Sequence, residues 1–164
     1  MKIRLVCLSA IFVFGPIAKA QEAASITHIN FDDVATGTLP KNWRAEGTNL
    51  RGAPALWNVL ENPAAKSPPK VLALTEIAKN SRGHFNIAWT PDPQFRNGEL
   101  EVSVYANTGR VDQGGGPIWR VQDASNYYVA RYNPLENNFR IYYVKDGSRK
   151  ELASVEDLAI PVGQ

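Results

Sequence analysis

Glu99 and Glu101 stand two residues apart in Gly98–Ala106, where apolar and polar side chains alternate (GELEVSVYA). On an extended strand that spacing puts both carboxyls on one face, with Cα atoms about 6.5–7 Å apart. Carboxyl pairs near that separation act as acid and base, or acid and nucleophile, in glycoside hydrolysis. A solvated strand face explains the spacing equally well, and is preferred here, because catalytic carboxyls are marked by perturbed surroundings rather than by spacing. The second group is Arg120, Tyr127, Arg131, Arg140 and Tyr142. If Pro134–Asn137 is a four-residue hairpin loop, Asn133 lies opposite Asn138 and Arg131 opposite Arg140. Two like charges in direct register repel. Their neutraliser would be Glu99 or Glu101 from a neighbouring strand, or a bound anionic or polyhydroxyl ligand. Rings and guanidinium forks together suit the C–H faces and hydroxyls of a sugar. An ordinary outer face, with arginine stacked on tyrosine, suits the same residues.

Other chemistry has less behind it. Asp32 and Asp33 could ligate Ca²⁺ with carbonyl oxygens, but a strand-end turn is the simpler role, so no cofactor is expected. His28 and His84 lack metal-ligand spacing, and no cysteine follows Cys7 to help them. Gly114–Gly116 lacks the Lys-Ser/Thr of a phosphate loop and reads as a bulge or close strand approach. Gly147-Ser148 is not a nucleophile elbow, which needs Gly-x-Ser-x-Gly. Trp43, Trp57, Trp89 and Trp119 read as core or turn anchors rather than ligand stackers.

These residues need strands to position them. Ile26–Phe31 alternates and reads as the first strand, and Glu46–Ala55, with its glycines and proline, as loop. Strands follow at Trp57–Leu60, Val71–Thr75, Phe85–Trp89 and Gly98–Ala106. The aromatic stretch Gly114–Tyr143 is cut into three runs by turns at Asp123–Asn126 and Asn133–Asn137. An Asp-Gly hairpin turn in Lys145–Ser148 leads to a strand at Lys150–Val155. Within the aromatic stretch, Tyr128, Ala130, Tyr132, Phe139, Ile141 and Tyr143 share the face expected to meet a core. The opposite face, with Tyr127, Val129, Arg131, Arg140 and Tyr142, is expected to meet something polar. Only Ser154–Leu158 could form a helical turn. About nine strands spaced by turn signals predict an all-β fold, a two-sheet antiparallel jelly-roll sandwich.

The chain of 164 residues suits one domain. Lys2 and Arg4, the apolar run Leu5–Ile17 and the small-residue site Ala18-Lys19-Ala20 read as a secretory signal peptide over 1–20. The folded domain is then 21–164, exported to a periplasm or beyond. Cleavage removes Lys2, Arg4 and Lys19, leaving 15 basic against 16 acidic side chains. A near-neutral domain without a polybasic run gives no electrostatic case for nucleic acid. No later stretch is apolar enough for a membrane span.

A resemblance adds to this reading. It rests on Phe31-Asp32-Asp33, Gly37-Thr38-Leu39-Pro40, Trp43, Val71–Thr75, Asp112–Arg120 and Asn126–Arg131. With these segments the chain resembles the exported bacterial concanavalin A-like (laminin-G-like) domains grouped with 3-keto-disaccharide hydrolases, also labelled family-sixteen-like glycoside hydrolases. The resemblance implies a jelly roll whose concave sheet holds sugar, and strands continuing past Gln164, so the chain reads as truncated. Family-sixteen glucanases carry a Glu-x-Asp-x-(x-)Glu strand motif, which is absent here. Three functions stay open: a carbohydrate-binding module, a glycoside or 3-keto-disaccharide hydrolase or lyase, and a structural domain of the cell envelope.

Overall fold

The computed structural model describes residues 26–78, 83–110, 112–159 and 161–163; the leader read at 1–20 lies outside them. The described residues contain no helix. Eight strands form three antiparallel sheets, so the chain is all-β. β1 (Arg44–Thr48) pairs with β4 (Phe85–Trp89), and β2 (Leu56–Glu61) pairs with β3 (Lys70–Glu76). The remaining four make one sheet in chain order: β5 (Ile118–Asp123), β6 (Asn126–Asn133), β7 (Asn138–Lys145) and β8 (Ser148–Val155).

Local chemistry explains two of the three turns of this sheet. Asn133 Oδ1 accepts from the Leu135 amide (3.1 Å) and its carbonyl from the Glu136 amide (3.2 Å). Asn137 takes the left-handed conformation (φ 50°), which asparagine tolerates. The register then follows: Asn133 pairs with Asn138 and Arg131 with Arg140, as the four-residue loop predicts. At the next turn both Asp146 (φ 49°) and Gly147 (φ 74°) are left-handed, the signature of a type I′ hairpin. A Cβ on Gly147 would also strike the Asn49 amide, whose Nδ2 donates to the Gly147 carbonyl (2.9 Å). Gly147→Ala is therefore expected to cost about 1–2 kcal/mol from the left-handed backbone alone, read as a lowered urea midpoint with unchanged slope.

The core lies on the face not expected to hold it. Ile87 and Trp89 of β4 pack on Tyr127 and Val144, with Ile118, Val121 and Val129 around them. Tyr127 and Tyr142 are each 4 % exposed, whereas Phe139 on the other face is 37 % exposed. Alternation fixes which side chains share a face but not which face is covered, and both faces here carry aromatic rings. Tyr127 reconciles its hydroxyl with burial by donating to Thr48 Oγ1 (2.8 Å). The Thr48 hydroxyl donates onward to the Ala124 carbonyl (2.8 Å). Arg149 lies over the rings of Phe85 (4.7 Å) and Tyr142 (4.4 Å), so a cation caps the same core.

Three segments differ from their sequence reading. Ile26–Phe31 pairs with no strand; Phe31 meets Trp43 edge to face at 5.7 Å. Gly98–Ala106 alternates well but lies outside every sheet. Its carbonyls are met singly, Val104 by the Tyr132 hydroxyl (3.2 Å) and Ala106 by the Gly163 amide (2.9 Å). Val102 and Val104 instead wall an apolar cavity of about 330 Å³ against Ala130, Tyr132, Phe139 and Leu158. Conversely, β1 occupies part of the presumed loop Glu46–Ala55. Gly47 there is no turn glycine: a Cβ on it would strike the His84 ring, so it permits close approach within a strand.

Candidate functional site

The two facing arginines are neutralised within their own hairpin and its neighbours. Arg131 Nη2 donates to Glu136 Oε2 (2.9 Å), which also lies 3.6 Å from Arg140 Nη1. Asp112 stands 3.8 Å from Arg131. Glu151 (3.6 Å) and Glu156 (3.0 Å) complete the surroundings of Arg140. Beneath them, Asn133 (0 % exposed) donates to Asp112 Oδ1 (3.0 Å) and Asn138 (1 %) to Glu136 Oε2 (3.0 Å). The counter-charge sought from Glu99 or Glu101 thus comes from Glu136. Glu99 and Glu101 are exposed, lie in the unpaired segment, and form no ion pair among the described residues.

The hydrogen bond from Asn138 is the main cause holding the Glu136 carboxyl below its usual range; burial opposes it, and Arg131 and Arg140 add smaller lowering effects. A folded-state pKa below the unfolded one stabilises the protein above the unfolded value and ceases to do so as pH falls through the folded value. The loss therefore lies below about pH 4.3, the ordinary glutamate value. Glu136→Gln is expected to flatten the decline in stability across that window relative to the natural chain. Urea midpoints measured from pH 7 to pH 3 check this, and parallel declines would refute it.

With Tyr127 and Tyr142 in the core, the exposed aromatic surface of the sheet is on its other side. Trp119 pairs with Tyr128 and Tyr128 with Tyr143 in direct register across β5, β6 and β7. Trp119 and Tyr128 stack with centroids 5.8 Å apart, and Tyr128 and Tyr143 lie tilted at 6.2 Å. Lys150 of β8, paired with Tyr143, brings its ammonium 6.0 Å from that ring. All three residues are half-buried. Beside them opens a cleft of about 300 Å³ edged by Arg120, Gln122, Asn126, Tyr128, Tyr143 and Lys145.

Arg120 reaches this ladder through a bulge. Between the pairs Trp119–Tyr128 and Asp123–Asn126, β5 holds three residues and β6 only Tyr127. Strict alternation would send Arg120 to the core side. The left-handed backbone at Arg120 (φ 51°) returns it to the ladder side, where its guanidinium lies 5.8 Å from the Tyr128 ring. The sequence reads Trp119 as a core or turn anchor and groups Arg120 with Tyr127. The bulge sets Trp-Arg-Val-Gln-Asp opposite Asn-Tyr-Tyr, and no residue in the run marks it beforehand.

At the other candidates, the Asp32 and Val34 backbone carbonyls both accept from Lys70 Nζ at 2.7 Å. Among the described residues no three His, Cys, Asp or Glu converge as a metal site, and no helix is long and apolar enough to cross a membrane. No family model, curated protein or solved structure matches the chain.

Proposed function

We propose that this chain is an exported carbohydrate-binding module of the concanavalin A-like type, its sheets the layers of a jelly-roll sandwich, with the glycan lying along Trp119, Tyr128 and Tyr143. The observation that carries the reading is the ladder itself: three half-buried aromatic residues in direct register on adjacent strands, joined by an arginine that a bulge turns onto their face. Neighbouring strands are about 4.8 Å apart, so the rings form a continuous apolar strip crossing the sheet. Such a strip offers ring faces to the C–H faces of sugar rings, while Arg120, Gln122 and Asn126 supply polar groups along the cleft.

Titration of the chain with a panel of oligosaccharides, followed by tryptophan fluorescence and mass spectrometry, tests this. Trp119→Ala and Tyr143→Ala are expected to weaken binding at least about tenfold, or 1.4 kcal/mol, while leaving the fold intact by circular dichroism. Wild-type affinity in both variants would refute the ladder as the site. Cleaved product in the mass spectrum would replace the module reading by an enzyme.

A further inference from the structure

We infer that the glycan held by this ladder is an acidic polysaccharide, its carboxylate or sulfate groups met by Arg120, Lys145 and Lys150; the inference rests on the module reading and names its ligand class. The ion-paired cations of the sheet all lie on its core side, where, among the described residues, Arg149 alone is unpaired and caps the rings of Phe85 and Tyr142 instead. On the core side Arg131 and Arg140 each have at least two carboxylates within 4 Å. On the ladder side, Arg120, Lys145 and Lys150 form no ion pair among the described residues. Arg120 and Lys150 lie instead over tyrosine rings, and all three side chains are exposed. No aspartate or glutamate edges the cleft.

Of the carboxylates nearest in sequence, Asp123 and Glu151 are committed elsewhere, and Asp146, in the hairpin turn after Lys145, forms no ion pair among the described residues. Asp123 has its oxygens bound by the Ser125 amide (2.7 Å) and by Asn126 Nδ2 (2.9 and 3.0 Å), closing the β5–β6 turn. Glu151 follows Lys150 directly but lies on the opposite face, 3.6 Å from Arg140. The ladder side is thus a positively charged strip on a chain with almost no net charge once the leader is set aside.

Arg120 adds a second, independent observation. Five of the six non-glycine residues with left-handed backbone among the described ones are asparagine or aspartate, the types that tolerate it; Arg120 is the sixth. Nothing in the bulge calls for arginine on backbone grounds, since asparagine or glycine would sit there with less strain. What arginine supplies is a flat, permanently charged fork on an aromatic face, suited to a bidentate carboxylate or sulfate.

The test uses two pairs of polymers that share a backbone and differ in charge: polygalacturonate against its methyl ester, and dextran sulfate against dextran. The chain is expected to bind at least one acidic member about tenfold or more tightly than its neutral counterpart. That preference is expected to shrink as salt is raised from about 0.05 to 0.5 M, where screening shortens to a few ångströms. In the double variant Arg120→Gln/Lys150→Gln the acidic-to-neutral ratio is expected to fall close to one. Lys66→Gln, an exposed charge on the β2–β3 loop, leaves the ratio unchanged. The polygalacturonate and dextran sulfate arms separate carboxylate from sulfate recognition. Equal affinity within both pairs, or a preference that survives the double variant, overturns the inference. If neutral glycans still bind and Trp119→Ala abolishes that binding, the module reading stands alone. If no glycan of either kind binds, both fall.

Discussion

Gly116→Ala is expected to lower stability by about 3 kcal/mol, the sum of roughly three net backbone hydrogen bonds. An added Cβ would overlap the Ala130 carbonyl oxygen and come within 2.9 Å of its carbon and 3.3 Å of Arg131 Cα. All of these are backbone atoms of β6, so no rotamer change relieves the clash. The strands must part, and three bonds go with them: Gly115 N to Tyr132 O (3.0 Å), Tyr132 N to Gly115 O (3.0 Å) and Ala130 N to Pro117 O (3.1 Å). The neighbouring glycines make internal controls. A Cβ on Gly115 meets only Val104 Cγ1 at 3.1 Å, a side chain bordering a cavity that can yield, so Gly115→Ala is expected to cost under about 1 kcal/mol. A Cβ on Gly114 displaces the Arg131 stem and falls between the two. Urea unfolding of the three variants gives the order 116, then 114, then 115. Any other order means that strand approach is not what the triple glycine serves.

That glycine run shows how far the sequence could be read. Its lack of Lys-Ser/Thr ruled out a phosphate loop, and close strand approach was the sound alternative. The Asn133–Asn138 and Arg131–Arg140 pairings were legible as well, because a hairpin's loop length sets its register and Pro134–Asn137 is a short, well-marked loop. The strand Phe85–Trp89 was legible because turn residues flank it on both sides. What could not be read were the facts that depend on a partner far along the chain. Gly98–Ala106 has the pattern of a strand, but pairing needs a free edge beside it, and alternation carries no information about edges. The covered face of the main sheet is chosen by Ile87 and Trp89, some forty residues before Tyr127. The ladder depends on a bulge whose extra residues break the alternation used to assign faces. Tyr127 and Tyr142, read from the sequence as open to a polar partner, are therefore the two that the structure buries.

Adjacent tyrosines make that difference measurable. Tyr127→Ala is expected to cost about 3–5 kcal/mol, the range for deleting a buried aromatic ring, because its ring is packed by Ile87, Trp89 and Val144. Tyr127→Phe is expected to cost only about 1 kcal/mol. The Thr48 hydroxyl keeps its own acceptor at Ala124, so no buried donor is orphaned when the phenol oxygen is removed. Tyr128→Ala reverses the balance. It removes two cross-strand aromatic contacts at about 0.5–1.5 kcal/mol each, from a half-buried position whose loss opens no core cavity. At the same time it takes the middle ring from the ladder and the seat from under Arg120. Glycan affinity is therefore expected to fall at least about a hundredfold, or 2.7 kcal/mol, in a protein that still unfolds cooperatively. Paired urea and binding titrations separate the two residues: Tyr127→Ala is expected to cost stability and Tyr128→Ala affinity. If Tyr128→Ala binds glycan as the natural chain does, the aromatic ladder is only sheet packing and the ligand must be sought on another surface.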